Sequence, residues 1–280
     1  MINLSAFYSN YLKLYFEEDE LGKNLNYLNS LPQEQVQCLL KIKDDMCLAG
    51  LPFFFEAFNF ISQTKRDFSQ HLAHEGALFK KSDQSQIEFI LPFNIALTAE
   101  RIALNLLQRA SSVATYTKKF VDQSQGVKIL DTRKTTPGLR YLEKYAVTVG
   151  GGTNHRFSQT DVWMIKDNHK KMWGGIRPAV EHFLKLKTFY QEIVVEIHDL
   201  AELEQVQDLA VKHFMLDNFS GSQIKAALSV KKPHWTYEVS GGVNLENLNQ
   251  YALEGVDAIS TGSIIYNAPQ VDLSMKIEKI

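Results

Sequence analysis

Hydrophobic and polar positions along the 280 residues change texture near Gly126. Before that point, strand-like and helix-like periodicities come in runs. Residues 1–30 read as an amphipathic helix followed by an acidic loop at Glu17–Gly22. Gln35–Ile42 and Met46–Leu51 flank Lys43-Asp44-Asp45, a pattern that predicts a hairpin. Phe53–Ser62 returns to helical spacing, and Ile87–Leu91 alternates like a strand and stops at Pro92. Asn94 then stands where an N-cap is expected for a long helix carrying Ile95, Leu97, Ile102, Leu106 and Leu107. Runs of strand and then helix, to about residue 112, indicate an α+β layer domain.

After Gly126 short apolar runs end in polar or glycine-rich turns and alternate with helical stretches. Seven are visible: VKIL before Asp131, AVTV before Gly150, VWMI before Lys166, IVVEI around Glu196, HFML before Asp217, TYEV before Ser240 and AIS before Thr261. Glu196, Asp217, Ser240 and Thr261 follow one another at 21, 23 and 21 residues, the length of one strand–loop–helix–loop unit. Continuous apolar runs alternating with helices mean parallel strands buried on both faces. Without a glycine-rich dinucleotide fingerprint after the first strand, the pattern favours an α/β barrel over a doubly wound sheet.

Bulk composition narrows the class. Hydrophobic residues make up 45% and charged residues 22%, ordinary for a water-soluble globular chain. Cys38 and Cys47 have no metal-ligand spacing, so a reduced, cytoplasmic chain is expected. The start, MINLSAFYSNYLKLYFEEDE, lacks a basic segment followed by an apolar one, so no signal peptide is expected. The most apolar window, Leu48–Phe60, is interrupted by Pro52 and Glu56 and is too short to span a bilayer. Net charge is −2, yet residues 131–177 hold nine Lys/Arg against four Asp/Glu. A cationic cluster in a slightly acidic chain argues against a nucleic-acid surface and for a pocket that attracts a small, multiply charged anion.

The candidate chemistry falls at the strand ends, where barrel enzymes gather their sites. Arg133 and Lys134 follow the first run, His155 and Arg156 the second, and Lys166 ends the third. Glu196 lies in the fourth and Asp217 ends the fifth; Ser240-Gly241-Gly242 and Thr261-Gly262-Ser263 follow the sixth and seventh. Arg and Lys suit a dicarboxylate. Two carboxylates suit sugar hydroxyls or a hard cation such as Mg²⁺. Glycine with Ser/Thr lets backbone N–H groups approach a phosphate. Together they describe a site that joins a phosphorylated sugar to a dianionic acid. Lys170, Lys171 and Arg177 read as solvated loop charges, and Glu143 as a helix-face charge. His198, His213 and His234 read as surface or core histidines, and His71 with His74 lacks a third metal ligand.

Three blocks carry a resemblance: Asp131-Thr132-Arg133-Lys134-Thr135, Gly151-Gly152-Thr153-Asn154-His155-Arg156 and Ile165-Lys166-Asp167-Asn168-His169. Glu100-Arg101-Ile102-Ala103-Leu104-Asn105, Ser111–Thr115, Leu216-Asp217-Asn218 and the two glycine loops extend it over roughly residues 94–275. This set resembles quinolinate phosphoribosyltransferase (nicotinate-nucleotide pyrophosphorylase, carboxylating). The resemblance implies an N-terminal α+β sandwich, residues 1–112, and an incomplete α/β barrel, residues 113–270, with the tail 271–280 returning to the first domain. It implies transfer of phosphoribose from phosphoribosyl pyrophosphate to quinolinate with decarboxylation, with Mg²⁺.

By the same resemblance, Thr132, Arg133, Lys134, His155, Arg156 and Lys166 bind quinolinate, and Arg101 enters from the neighbouring subunit of a homodimer, which can build a hexamer. Glu196 and Asp217 hold the ribose and the metal–pyrophosphate, while Ser240, Gly241, Gly242, Thr261, Gly262 and Ser263 hold the 5-phosphate. Lys134, Lys166, Glu196 and Asp217 are the implied catalytic groups. Two departures stand out: Tyr266 occupies the place of a usual His, and Glu18–Gly22 is followed by Lys23-Asn24 rather than Gly-Asp. The alternative is a related phosphoribosyltransferase of the molybdenum-transport-associated type with another acceptor. Its relatives tend to lose the Lys-Asp-Asn-His block and the Glu-Arg pair, both present here.

Overall fold

The computed structural model describes residues 4–19, 22, 25–62 and 65–280. The acidic loop therefore lies partly outside the described residues, as do Lys23-Asn24. Two compact units divide the chain. One comprises Met1–Tyr116, Thr136–Gly150 and Ala268–Ile280, the other Thr117–Thr135 and Gly151–Asn267. The segment 136–150 thus groups with the first unit, inside the stretch that a linear reading gives to the barrel.

The first unit begins with helices α1 (Leu4–Glu18) and α2 (Leu25–Ser30). Strand β1 (Gln35–Ile42) leads to the short β2 (Met46–Cys47), helix α3 (Leu51–Ile61), β3 (Leu78–Phe79), β4 (Gln86–Pro92) and the long helix α4 (Phe93–Gln123). The alternation that predicts β4 is real: Ile87, Phe89 and Leu91 are buried, and Gln86, Glu88 and Ile90 are exposed. The expected hairpin does not form. β2 pairs antiparallel with β3, whereas β1 pairs antiparallel with β4 and with a C-terminal strand. Only two residues of the second arm extend, because Gly50 takes φ +101 and the chain turns straight into α3. Burying Phe54, Phe55 and Phe58 stabilises that helix; Phe54 meets Phe89 of β4 edge-on with ring centroids 5.8 Å apart.

Past α4 come β5 (Lys128–Leu130) and α5 (Arg140–Val149). The AVTV run therefore lies in a helix, not a strand. Leu142, Ala146 and Val147 are its buried apolar positions, spaced as on one helical face. Glu143 is likewise no surface charge. Fully buried, it accepts bonds from Arg109 Nη2 at 2.6 Å, Thr136 N at 2.8 Å and Thr136 Oγ1 at 2.7 Å.

The second unit continues with β6 (Trp163–Ile165), α6 (Asp167–Trp173), α7 (Ile176–Leu186), β7 (Ile193–Ile197) and α8 (Leu200–Val206). It ends with β8 (His213–Asp217), α9 (Gly221–Ser229), β9 (Thr236–Ser240), β10 (Ala258–Ser260) and α10 (Ser263–Tyr266). Strand β11 (Leu273–Lys279) returns to the first unit as the antiparallel partner of β1. The six parallel strands run in the order β5-β10-β9-β8-β7-β6. Every residue of β7 is buried, as expected of a strand covered on both faces. Beyond β5 a single parallel bridge joins Leu130 to Thr153, so this turn occupies the place of a seventh strand. Among the described residues nothing pairs that bridge to β6. The sheet is an open α/β barrel, and the break lies there.

Candidate active site

Strand ends deliver the site. Thr132, Arg133 and Lys134 follow β5; His155 and Arg156 follow the Thr153 bridge; Lys166 follows β6; Glu196 is in β7, Asp217 ends β8 and Ser240 ends β9. All nine line one cavity of about 420 Å³ in the second unit. Its remaining lining comes from Met164, Met215 and Ser260, of which Ser260 has a buried hydroxyl without a hydrogen-bond partner. Sequence reasoning missed these three, since interior residues short of the strand end read as core.

Cations crowd one side. Burial and the neighbouring Arg133 guanidinium push the pKa of Arg156 down, while Asp161 and Glu196 pull it up. Two guanidiniums held near each other in a half-buried cleft suit an anion with more than one charge. Arg156 is anchored by Nη1 donating to the carbonyls of Gln159 and Val162, each at 2.9 Å. Lys166 Nζ lies 3.6 Å from Glu196 Oε2 and is nearly half exposed, so it can reach outward to a ligand.

His155 lines the same cavity, but its ring faces inward. Nδ1 accepts the Arg156 amide at 2.7 Å and Nε2 sits 3.2 Å from Glu238 Oε2. Its backbone N–H donates to the buried Asp131 at 2.9 Å. Both ring nitrogens thus serve the protein, and the side chain sets the course of the loop that carries Arg156.

Beside the cations stand Glu196, buried within β7, and Asp217, whose Oδ2 accepts from Asn218 Nδ2 at 2.7 Å. Their oxygens fit a hard divalent cation. The sequence reading placed His198 and Lys170 away from the chemistry. Instead His198 Nε2 lies 3.4 Å from Glu196 Oε1 and 3.6 Å from Asp217 Oδ2. Lys170, buried, sits 2.7 Å from Glu202 and 2.8 Å from His198 Nδ1. One signal was available: His198 directly follows β7, the position that singled out the other residues. Asp167, Glu196 and His198 also bring one donor atom each within 4.8 Å of one another.

The glycine loops follow Ser240 and Ser260, which line the cavity, but are not themselves among its lining. Gly241 takes φ +92, and a Cβ there would lie 2.7 Å from Asn218 N, so no side chain fits. Thr261 and Ser263 turn their buried hydroxyls to the Val243 carbonyl, at 2.8 and 3.1 Å, tying the two loops together. The N–H groups of Gly241, Gly242 and Gly262 make no hydrogen bond among the described residues. Tyr266 lays its ring against Gly262: a Cβ on that glycine would fall 2.6 Å from Tyr266 Cε1 and 3.1 Å from Lys134 Cδ. Arg101 lies on α4 in the first unit, where it lines a separate cavity of about 410 Å³ with Glu18, Asp19, Asn105 and Arg109.

The chain is similar to several known proteins. Residues 113–276 match the family model for the quinolinate phosphoribosyl transferase C-terminal domain. A protein from Synechocystis sp. named probable nicotinate-nucleotide pyrophosphorylase (carboxylating) is 36% identical, over 88% of this chain and 84% of its own. The Homo sapiens nicotinate-nucleotide pyrophosphorylase (carboxylating) is 33% identical, over 86% and 82%. Among solved structures, NadC from Streptococcus pyogenes superimposes with a TM-score of 0.86 at 32% identity, covering 98% of this chain and 97% of that one. Nicotinate-nucleotide pyrophosphorylase from Ehrlichia chaffeensis superimposes at 0.83 with 33% identity, covering 99% and 100%.

Proposed function

Because this chain belongs to the quinolinate phosphoribosyltransferase family, we propose that it joins quinolinate to the phosphoribosyl group of phosphoribosyl pyrophosphate, releasing pyrophosphate and CO₂ and giving nicotinate mononucleotide. The observation that carries the reading is one cavity lined by Arg133, Lys134, Arg156 and Lys166 together with Glu196 and Asp217. A dicarboxylate fits the cations and a ribose the carboxylates.

The pyridine nitrogen gives its lone pair to C1 of the ribose as the C1–O bond to pyrophosphate breaks and its electrons leave with the phosphate. Arg133, Arg156 and Lys166 hold the acid's carboxylates so that the nitrogen faces C1, which removes most of the orientational cost of the encounter. Glu196 and Asp217 would stabilise the positive charge that grows on the sugar ring. The ring nitrogen is now quaternary. The bond from C2 to its carboxylate then breaks, CO₂ leaves, and the electron pair on C2, beside N⁺, takes a proton from solvent. No protein nucleophile is needed, and neither Cys38 nor Cys47 belongs to the second unit.

Glu196 and Asp217 would hold Mg²⁺, which supplies positive charge to the departing pyrophosphate. The N–H groups of Gly241, Gly242 and Gly262 receive the 5-phosphate, and Lys134 beside Gly262 adds a cation there. The working unit is a homodimer in which the exposed Arg101 of each subunit completes the acid pocket of the other, with hexamers as a further assembly. The reduced, buried cysteines favour the cytoplasm. Among the described residues no helix is long and apolar enough to cross a membrane. The reading is tested by supplying phosphoribosyl pyrophosphate with quinolinate or with nicotinate: nicotinate mononucleotide is expected from quinolinate alone. Equal product from nicotinate would refute the dicarboxylate site.

A further inference from the structure

The parallel strands surround a second cavity, at their N-terminal ends. Lys128, His213, Thr236 and Ala258 are the first residues of β5, β8, β9 and β10, and Val162 and Glu192 immediately precede β6 and β7. All six line one space of about 430 Å³ within the second unit, as large as the cavity at the C-terminal strand ends. In an α/β barrel this lower mouth is ordinarily filled by side chains and serves stability. Here the small Ala258 stands between Glu238 and Lys128 in the strand register, which leaves the interior unfilled. The wall is apolar at Leu130, Val162 and Val194, and two carboxylates face the space. Glu238, with 14% of its side chain exposed, has Oε2 3.2 Å from His155 Nε2, while its Oε1 is buried without a hydrogen-bond partner. Glu192, half exposed at the rim, has His213 Nε2 at 3.7 Å. Among the described residues neither carboxylate pairs with a lysine or arginine. Nearby cations are spent elsewhere: Lys231 pairs with Asp257 at 2.6 Å, and Arg156 Nη1 donates to two loop carbonyls. Lys128 is left, exposed at the rim, so the carboxylates outnumber the cations still available. A buried carboxylate oxygen without a partner costs free energy that a cation beside it recovers.

We propose that the lower cavity is a second ligand site, which takes a small organic cation (an amine or amidine on an apolar or aromatic body) and whose occupancy is felt at the acid pocket. The charged head meets Glu238 and Glu192, and the body lies against Leu130, Val162 and Val194. His155 and Arg156 line both cavities. His155 Nδ1 accepts the Arg156 amide at 2.7 Å, so a cation that draws Glu238 away from His155 loosens the loop carrying Arg156. One packed cluster lies between the two spaces: Met164 and Met215 line the upper, and Val194, packed with them, lines the lower. Binding in the lower cavity does not depend on the proposed reaction, whereas its effect on the acid pocket rests on that reading.

The test titrates the full-length chain with benzamidine, and with benzamide, of the same shape without the charge, as control. Calorimetry should show saturable binding of benzamidine, about tenfold or more tighter than benzamide. Glu238→Gln should weaken it about tenfold and Glu192→Gln about threefold. Glu192 lies at the rim of the lower cavity alone, so Glu192→Gln should keep the basal kcat and both KM values. Saturating quinolinate should weaken benzamidine severalfold without displacing it, and benzamidine should weaken quinolinate by the same factor, reaching a plateau. Quinolinate affinity unmoved by saturating benzamidine would overturn the link to the acid pocket. No saturable binding, equal affinity for benzamide, or unchanged affinity in both variants would overturn the site. So would complete displacement by quinolinate or phosphoribosyl pyrophosphate, which would put the probe in the catalytic cavity. A wild type that neither binds quinolinate nor transfers phosphoribose would refute the proposed reaction instead, and the benzamidine titrations would still decide the site.

Discussion

His155 and Glu238 meet inside the barrel, Nε2 to Oε2, at 3.2 Å, and the same ring accepts the Arg156 amide at Nδ1. Glu238 comes from β9 and its second oxygen, Oε1, is buried with no hydrogen-bond partner. His155, which lines the cavity as expected of a substrate residue, also ties a strand to the loop that presents Arg156. Glu238→Ala should lower kcat/KM for quinolinate about tenfold, mainly through KM for the acid. Unchanged steady-state constants would contradict the strut.

The cationic side should behave as a dicarboxylate site. Arg133→Ala or Lys166→Ala removes a charged donor and should cost roughly 3 kcal/mol of binding in the transition state, on the order of a hundredfold in kcat/KM for quinolinate. Lys166 is nearly half exposed and pairs only loosely with Glu196, so the melting temperature of Lys166→Ala should match the wild type. Near-normal turnover in both variants would remove these residues from the acid pocket.

Glu143 and Arg109 are a stability site. Glu143 has no exposed surface and ties α5 to α4 and to Thr136. Glu143→Ala leaves the Arg109 guanidinium without its short carboxylate contact and should cost about 3 kcal/mol. Urea denaturation would show this as a lower midpoint with an unchanged slope; an unchanged midpoint would contradict it.

Much of this architecture is legible in the sequence because burial writes itself as period. The alternation of Ile87, Phe89 and Leu91 predicts β4, and the unbroken IVVEI predicts a strand covered on both faces. Where local preference and tertiary packing disagree, packing wins. The β-branched AVTV run is helical because Leu142, Ala146 and Val147 share one buried face. The expected hairpin fails because β2 finds β3, thirty residues on, a pairing no turn signal marks. Arg133, Lys134, Arg156, Lys166, Glu196 and Asp217 converge as the strand-end rule expects. Lys170 was not legible: its partners Glu202 and His198 are about thirty residues away and meet it only once α6 and α8 pack beside β7.

Stability should fall in alkali. Burial, with Glu100 adding to it, pushes the Cys38 thiol up to about 12, and burial pushes the Tyr237 phenol up to about 12. Tyr145 is also raised, by burial first and then by Glu75, which its hydroxyl contacts at 2.9 Å. Each group ionises more easily unfolded than folded. Full stability is therefore present below pH 9, the ordinary thiol value, and is lost progressively as pH rises toward 12. Urea midpoints across that range should decline; a flat profile would mean these groups titrate freely in the native state.

The central claim is that one cavity carries out both transfer and decarboxylation on quinolinate. The most direct test labels the 2-carboxylate of quinolinate with ¹⁴C and follows CO₂ and pyrophosphate together, with phosphoribosyl pyrophosphate and Mg²⁺ present. Labelled CO₂ should appear in equal amount to pyrophosphate, only when both substrates are present, and disappear in Arg133→Ala. Pyrophosphate release without labelled CO₂, or neither product from the folded wild type, would contradict it.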